Sequence, residues 1–164
     1  MSQGDAITLR PLHAADLHRA NAVVEAAVST WHLPDRVKRL SLQSYRYQPH
    51  DLDHLSLVAA EDAAGRIVGV AAWEPASAGD APTGRKGLLL HGLYVDPARQ
   101  RQGIGRRLLG AAEQAARQGG FEGLLVKANR DAQGYFLKRG LQPLPVDDPR
   151  RDYPYRFWLN LGSA

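Results

Sequence analysis

The spacing of apolar residues along this chain switches repeatedly between a helical and a strand period, and each switch marks an element. Ile7 and Leu9, followed by Arg10-Pro11, read as a short opening strand that stops at a proline. Leu17, Ala20, Val23, Val24, Ala27 and Val28 then recur at helical spacing and form the stripe of an amphipathic helix. Pro34 is well placed near the start of a second helix reaching about Tyr45, with Val37, Leu40 and Leu42 on its inner side. Pro49 and its polar neighbours end that helix. Leu55, Leu57 and Val58-Ala59-Ala60 form a strand, Ala63-Ala64-Gly65 turns the chain, and residues 67–73 return as its antiparallel partner.

Residues 74–87 hold three glycines, two prolines and no periodicity, the composition of a mobile loop. Residues 88–95 are the next strand. A polar turn leads from there into a helix with Ile104, Leu108, Leu109, Ala112, Ala115 and Ala116 along one side, stopped by Gly119-Gly120. Leu124-Leu125-Val126 is a short buried strand, Asn129-Arg130-Asp131 offers capping oxygens to a helix ending near Lys138-Arg139, and residues 141–144 and 155–161 supply the last strands. The order strand, two helices, hairpin, strand, helix, strand, helix, strand, strand predicts an α/β fold with a mixed sheet. No internal repeat interrupts it.

Composition narrows the class. With 164 residues and 44% hydrophobic content, residues 1–164 suit one domain with a real core. The absence of cysteine excludes a disulfide framework, a thiolate zinc site and a cysteine nucleophile. Residues 1–5 lack the basic and then apolar pattern of a leader, and no run approaches the ~18 apolar residues of a membrane span, so the sequence reads as a cytoplasmic protein with no membrane partner. The net charge of +4 allows nucleic acid contact but equally suits a polyanionic small ligand, which accounts for the basic residues more economically. No nucleic acid partner is expected. His50 and His54 flank Asp51 and Asp53 at a spacing that suits metal ligation on a helix. Because that segment reads as a loop, no metal is expected.

The candidate chemistry lies in residues 88–117. An apolar strand passes through Asp96-Pro97 into Gln100-Arg101-Gln102-Gly103-Ile104-Gly105 and then opens a helix. Backbone N–H groups at the first turn of a helix have no internal partner and carry the positive end of its dipole, so residues 102–106 can present donors to an anion. Gly103 and Gly105 let it approach, and Arg99, Arg101, Arg106 and Arg107 supply charge. No Lys-Ser/Thr follows the second glycine, which excludes a P-loop, and Leu108 stands where a dinucleotide fingerprint needs a third glycine. The remaining pattern, Gln/Arg-x-x-Gly-x-Gly/Ala after a strand, resembles the acetyl-coenzyme A signature of the GNAT superfamily of N-acetyltransferases.

The resemblance covers nearly the whole chain. It extends to residues 132–141, similar to the family's Ala-x-x-Phe-Tyr-x-Lys-x-Gly-Phe segment. It implies a GNAT-like, mostly antiparallel sheet flanked by helices, with a splayed central strand pair, and acetyl-CoA as acyl-donor cosubstrate. By resemblance, Gln102, Gly103, Ile104, Gly105 and Arg106 would hold the pyrophosphate, and Gln100 and Arg101 of the same signature would also bind the cofactor. Leu93, Tyr94, Val95 and Asn129 would face the pantetheine arm and the thioester, and Tyr135 and Phe136 would lie near the sulfur. Many members carry at position 136 a tyrosine thought to protonate the departing thiolate. Here that residue is Phe136, with Tyr135 one place earlier, and adjacent helix residues point about 100° apart. Tyr135 is therefore either a substitute acid or a packing aromatic with its hydroxyl at the surface.

The base is equally open. Leucines occupy positions 88–90, where many relatives carry a glutamate, and His91 is the nearest substitute, sharing strand parity with Leu93 and Val95. Family geometry places Glu25, Trp31 and His32 beside the acceptor. The function implied is transfer of an acetyl group to a primary amine, on a small molecule or a protein, by direct attack in a ternary complex. The alternatives are a non-catalytic acyl-CoA sensor and an acyltransferase using another acyl donor. A homodimer stays open.

Overall fold

The computed structural model describes residues 6–162; residues 1–5, read above as lacking a leader pattern, lie outside them. Its elements are β1 (Thr8–Pro11), α1 (Leu17–Ser29), α2 (Asp35–Tyr45), β2 (Ser56–Glu61), β3 (Ile67–Pro75), β4 (Gly87–Val95), α3 (Ile104–Gln118), β5 (Gly123–Lys127), α4 (Gln133–Lys138), β6 (Gln142–Pro143) and β7 (Arg156–Asn160). They build a mostly antiparallel seven-stranded sheet in the order β1-β2-β3-β4-β5-β7-β6. The fold class follows the sequence expectation. No helix among the described residues is long and apolar enough to cross a membrane.

The chain falls into two compact units. The first holds the described residues up to Ala72 together with Gly92–Gly110. Its core packs Leu17, Ala20, Val23, Val24, Ala27 and Val28 of α1 against Leu57 and Ala59 of β2 and Val70 and Ala72 of β3. On the other face of β3, a Cβ on Gly69 would come within 2.9 Å of the Ile104 and Leu108 side chains, so the absence of a side chain lets α3 lie close on the strand. At the N-terminal edge, buried Asp16 receives Arg10 at 2.8 Å and Arg19 at 2.7 Å, and Arg10 also reaches Glu61 at 2.6 Å. The Arg10 guanidinium and the His13 N–H, with Arg19 behind them, hold the Asp16 carboxyl well below the usual carboxylate range.

Helix α2 departs from the reading of its inner face. No residue of it is fully buried, and Val37 and Leu40 are exposed. Its half-buried positions are Lys38, Ser41, Leu42 and Tyr45, a true three-and-four stripe. Because two of those four residues are polar, apolarity alone selected a face rotated away from the core.

The second unit holds Trp73–His91 and the described residues from Ala111 on. Trp158 of β7 lies across two strand glycines: a Cβ would stand 2.8 Å from its ring at Gly87 and 2.0 Å at Gly123. Ala81, Leu89 and Leu125 pack with it. Ala81 belongs to the loop read as mobile, and that loop is pinned at its centre. The Asp80 carboxylate accepts from Lys127 Nζ at 2.9 Å and from the Ser77 hydroxyl at 3.0 Å, while its carbonyl accepts from the buried Arg156 guanidinium at 2.9 Å. The expected strand at 141–144 shrinks to Gln142–Pro143, opposite Trp158 and Phe157. Pro143 and Pro145 have no N–H to continue a ladder.

Candidate functional site

The loop between β4 and α3 is built by backbone shape. The Asp96 N–H is bonded to the Val68 carbonyl at 2.9 Å, which fixes the end of β4, and the Asp96 carboxylate accepts the Ala98 N–H at 3.0 Å to cap a 3-10 turn at Pro97–Arg99. Two left-handed residues follow, Arg101 at φ 65° and Gly103 at φ 78°, with Gln102 between them. Such alternation of backbone hand is what makes anion-binding nests. The Arg107 N–H is bonded to the Gly103 carbonyl at 3.0 Å, so the amides of Ile104, Gly105 and Arg106 form the first turn of α3, with no carbonyl behind them. A Cβ built at Gly103 would meet no atom within 4 Å. The approach to those donors is open, and these residues fit a phosphate.

The four arginines are not equivalent. Arg99 donates from Nη1 to Asp62 at 3.0 Å and from Nε to Gln102 at 2.9 Å, and Arg107 donates to the Ile7 carbonyl. These two brace the loop. Arg101 and Arg106 lie on its exposed surface. The Arg66 N–H outweighs the effect of burial and, with Arg99 and the Ala64 N–H, keeps the Asp62 carboxyl below its ordinary range.

In the same unit, the end of β4 alternates as parity requires: Leu93 and Val95 are half-buried and Tyr94 is buried. The Tyr94 side chain belongs to the core, so only its main chain is available to a ligand. A row of rings runs from Trp31 to Tyr45 with centroids 5.4 Å apart, then to Tyr94 at 6.4 Å, and from Tyr94 to Tyr47 at 6.4 Å. Burial pushes the phenols of Tyr94 and Tyr47 up, keeping both neutral. Gly92 admits this packing, since a Cβ there would lie 2.4 Å from the Tyr47 hydroxyl oxygen. Of the acceptor candidates, Trp31 thus begins an aromatic row, Glu25 is exposed and paired with Arg46 at 3.0 Å, and His32 is exposed. Tyr45 and Tyr47 were not singled out in the sequence. The aromatic pair ahead of Pro49 was the available signal.

In the second unit, the parallel ladder of β4 and β5 runs from Gly87 opposite Gly123 to Leu90 opposite Val126. His91 follows the last pair, exposed, while β4 itself continues to Val95. Asn129 uses its side-chain oxygen to accept the Ala132 N–H at 2.9 Å, the capping role its position predicted. Phe136 is buried with its ring 6.1 Å from that of Phe157. Tyr135 stands edge-on to Phe136 at 5.3 Å, beneath the Arg139 guanidinium at 5.2 Å from its ring centroid. Its hydroxyl is not at the surface: it is buried and has no hydrogen-bond partner among the described residues. A phenol so placed lacks the bond that buried hydroxyls normally make.

Away from these elements, the segment read as a loop at residues 50–54 is a 3-10 turn at Pro49–Asp53. His50 and His54 each stand 3.6 Å from the Asp51 carboxylate. Among the described residues no group of histidines and carboxylates is arranged to hold a metal.

Set beside known proteins, residues 23–141 match the Acetyltransferase (GNAT) family. The fold matches a GNAT family acetyltransferase from Brucella melitensis, solved with acetyl-CoA, with TM-score 0.64 and 22% identity, over 97% of this chain and 90% of that one. It matches a PaiA N-acetyltransferase from Thermoplasma acidophilum, solved with coenzyme A, with TM-score 0.72 and 15% identity, over 94% and 99%. A GCN5-related N-acetyltransferase from Ralstonia eutropha gives TM-score 0.72 and 20% identity, over 88% and 98%. No curated protein matches the chain.

Proposed function

The chain belongs to the GNAT acetyltransferase family, and from that premise we propose that it transfers an acetyl group from acetyl-CoA to a primary amine by direct attack. The observation that carries the reading is the loop of residues 100–106, with left-handed Arg101 and Gly103, an open approach at Gly103 and the first-turn amides of α3 beyond it. The relatives solved with acetyl-CoA and coenzyme A support the choice of donor. In this reading the loop amides and the Arg101 and Arg106 guanidiniums hold the pyrophosphate, and the main chain of Leu93, Tyr94 and Val95 holds the pantetheine arm.

The chemistry then needs a neutral amine, a polarised thioester carbonyl and two proton movements. The amine lone pair attacks the carbonyl carbon, the C–N bond forms, the C–S bond breaks, and the nitrogen loses a proton. His91 is the residue we assign to accept that proton, through water. A coenzyme thiol, with a pKa near ~8.5, is a tolerable leaving group at neutral pH, and the Tyr135 hydroxyl is the donor we assign to it. Glu25, Trp31 and His32 belong to the acceptor side, where half-buried Trp31, at the end of the aromatic row, favours an acceptor with an apolar body behind its amine.

Calorimetry with acetyl-CoA, followed by thiol release against a panel of small amines and amine-bearing peptides, tests this. Binding together with turnover on an amine supports it, and absence of binding overturns it. One observation favours a second reading, a non-catalytic acyl-CoA sensor: the position usually held by the tyrosine acid is a buried phenylalanine, Phe136. Tight binding with no thiol release from any acyl-CoA would select the sensor.

A further inference from the structure

We infer that Asp62, in the turn after β2, is a positioning residue for the donor: through Arg99 it locks Gln102 and so holds Arg101 in the left-handed conformation that the phosphate loop requires. The inference rests on the coenzyme A reading of that loop. Arg101 is alone among the described non-glycine residues in having positive φ, at 65°. A residue with a Cβ is strained there and remains so only where its surroundings over-determine it.

Those surroundings are visible on both sides of Arg101. Two residues before it, Arg99 has its backbone N–H on the Asp96 carbonyl at 2.8 Å and its guanidinium on Asp62 at 3.0 Å. One residue after it, the Gln102 side-chain oxygen accepts from the same guanidinium at 2.9 Å. A single planar group therefore staples residues 99 and 102 and leaves the chain between them little room to relax.

Asp62 is suited to aim that group. Its Oδ1 accepts the N–H groups of Ala64 at 3.0 Å and Arg66 at 2.9 Å, its own N–H is bonded to the Arg66 carbonyl at 2.9 Å, and its side chain is 6% exposed. The carboxylate is fixed by the turn and presents Oδ2 to Arg99. On the other side of the turn, the Gly65 carbonyl accepts from Arg19 at 2.9 Å, and Arg19 in turn reaches buried Asp16. The loop conformation is thus referred to the N-terminal edge of the same unit through an unbroken line of ion pairs and hydrogen bonds.

Three variants test the inference on the whole chain. Asp62→Asn keeps an acceptor for the turn and removes the charge that aims Arg99. It is expected to raise Kd and KM for acetyl-CoA about tenfold, the size of one lost charge-assisted hydrogen bond, with kcat within about twofold. Arg99→Lys keeps the charge opposite Asp62 but cannot bridge to Gln102, and the same change is expected. In an Arg101→Gly background, where the left-handed conformation costs nothing extra, Asp62→Asn is expected to change KM by less than about twofold. A KM unaltered in both single variants, or an undiminished Asp62→Asn effect beside Gly at 101, overturns the inference. Failure of the unsubstituted protein to bind acetyl-CoA would instead overturn the coenzyme A reading itself.

Discussion

The loop after β4 and the short helix α4 carry polar groups in opposite conditions. In the loop, side chains are already engaged: Arg99 with Asp62 and Gln102, Arg107 with Ile7, Asp96 with Ala98. Its remaining donors are the exposed Arg101 and Arg106 guanidiniums and the first-turn backbone amides of α3, the latter fixed in direction. On α4 the Tyr135 hydroxyl is buried and bonded to nothing among the described residues. A site for a charged cosubstrate gains from preorganisation, since fixed dipoles cost no rearrangement when the anion arrives. A group that must give up a proton gains from having no competing partner. Under the proposed function, the loop would hold the donor and the Tyr135 hydroxyl would be the group left to protonate its thiolate.

The contrast can be broken first on the loop side. Gly103→Asp places a carboxylate where a Cβ meets nothing, and aspartate tolerates positive φ, so the fold should persist while the anion is repelled. Coenzyme A affinity is expected to fall about a hundredfold or more by calorimetry, with the thermal midpoint little changed. An unchanged affinity would remove the loop from the site. On the α4 side, Tyr135→Phe deletes an unbonded hydroxyl and should leave stability equal or slightly higher. If the hydroxyl protonates the leaving thiolate, kcat falls by about tenfold or more while KM for acetyl-CoA holds. An unaltered kcat would reduce Tyr135 to packing.

Smaller effects sharpen the same comparison. His91→Ala is expected to lower kcat severalfold while the Kd for acetyl-CoA holds, if its imidazole accepts the amine proton. A kcat equal to that of the unsubstituted protein would exclude His91. The brace itself is acid-sensitive. The Asp62 carboxyl is lowered in the folded chain, so its stabilisation is fully present above the unfolded carboxyl value and is lost as pH falls through the folded one. The thermal midpoint should therefore drop as pH goes below about 4, the unfolded aspartate value, and drop less steeply in Asp62→Asn.

Much of this molecule was legible in its residues. Apolar periodicity placed α1, α3 and the strands β2 to β5, because those elements bury an apolar face, and Gly103 with Gly105 marked the start of α3. The reading erred where polar residues face inward, as Lys38 and Ser41 do on α2. It erred again where one side chain ties down a loop of weak local pattern, as Asp80 does. Of the arginines near the loop, composition could count the charges but not sort them. Which ones brace and which face outward depends on Asp62 and Ile7, residues far away in the chain.

What the sequence by itself determined is therefore the fold class and the glycine-bearing start of α3, since both rest on local rules: period, turn residues and the unpaired amides of a helix start. What only the tertiary structure decided is the condition of each polar group. The burial of the Tyr135 hydroxyl, the engagement of Arg99 and the aromatic row from Trp31 to Tyr47 are contacts between distant segments, and no local rule encodes the neighbour that folding supplies.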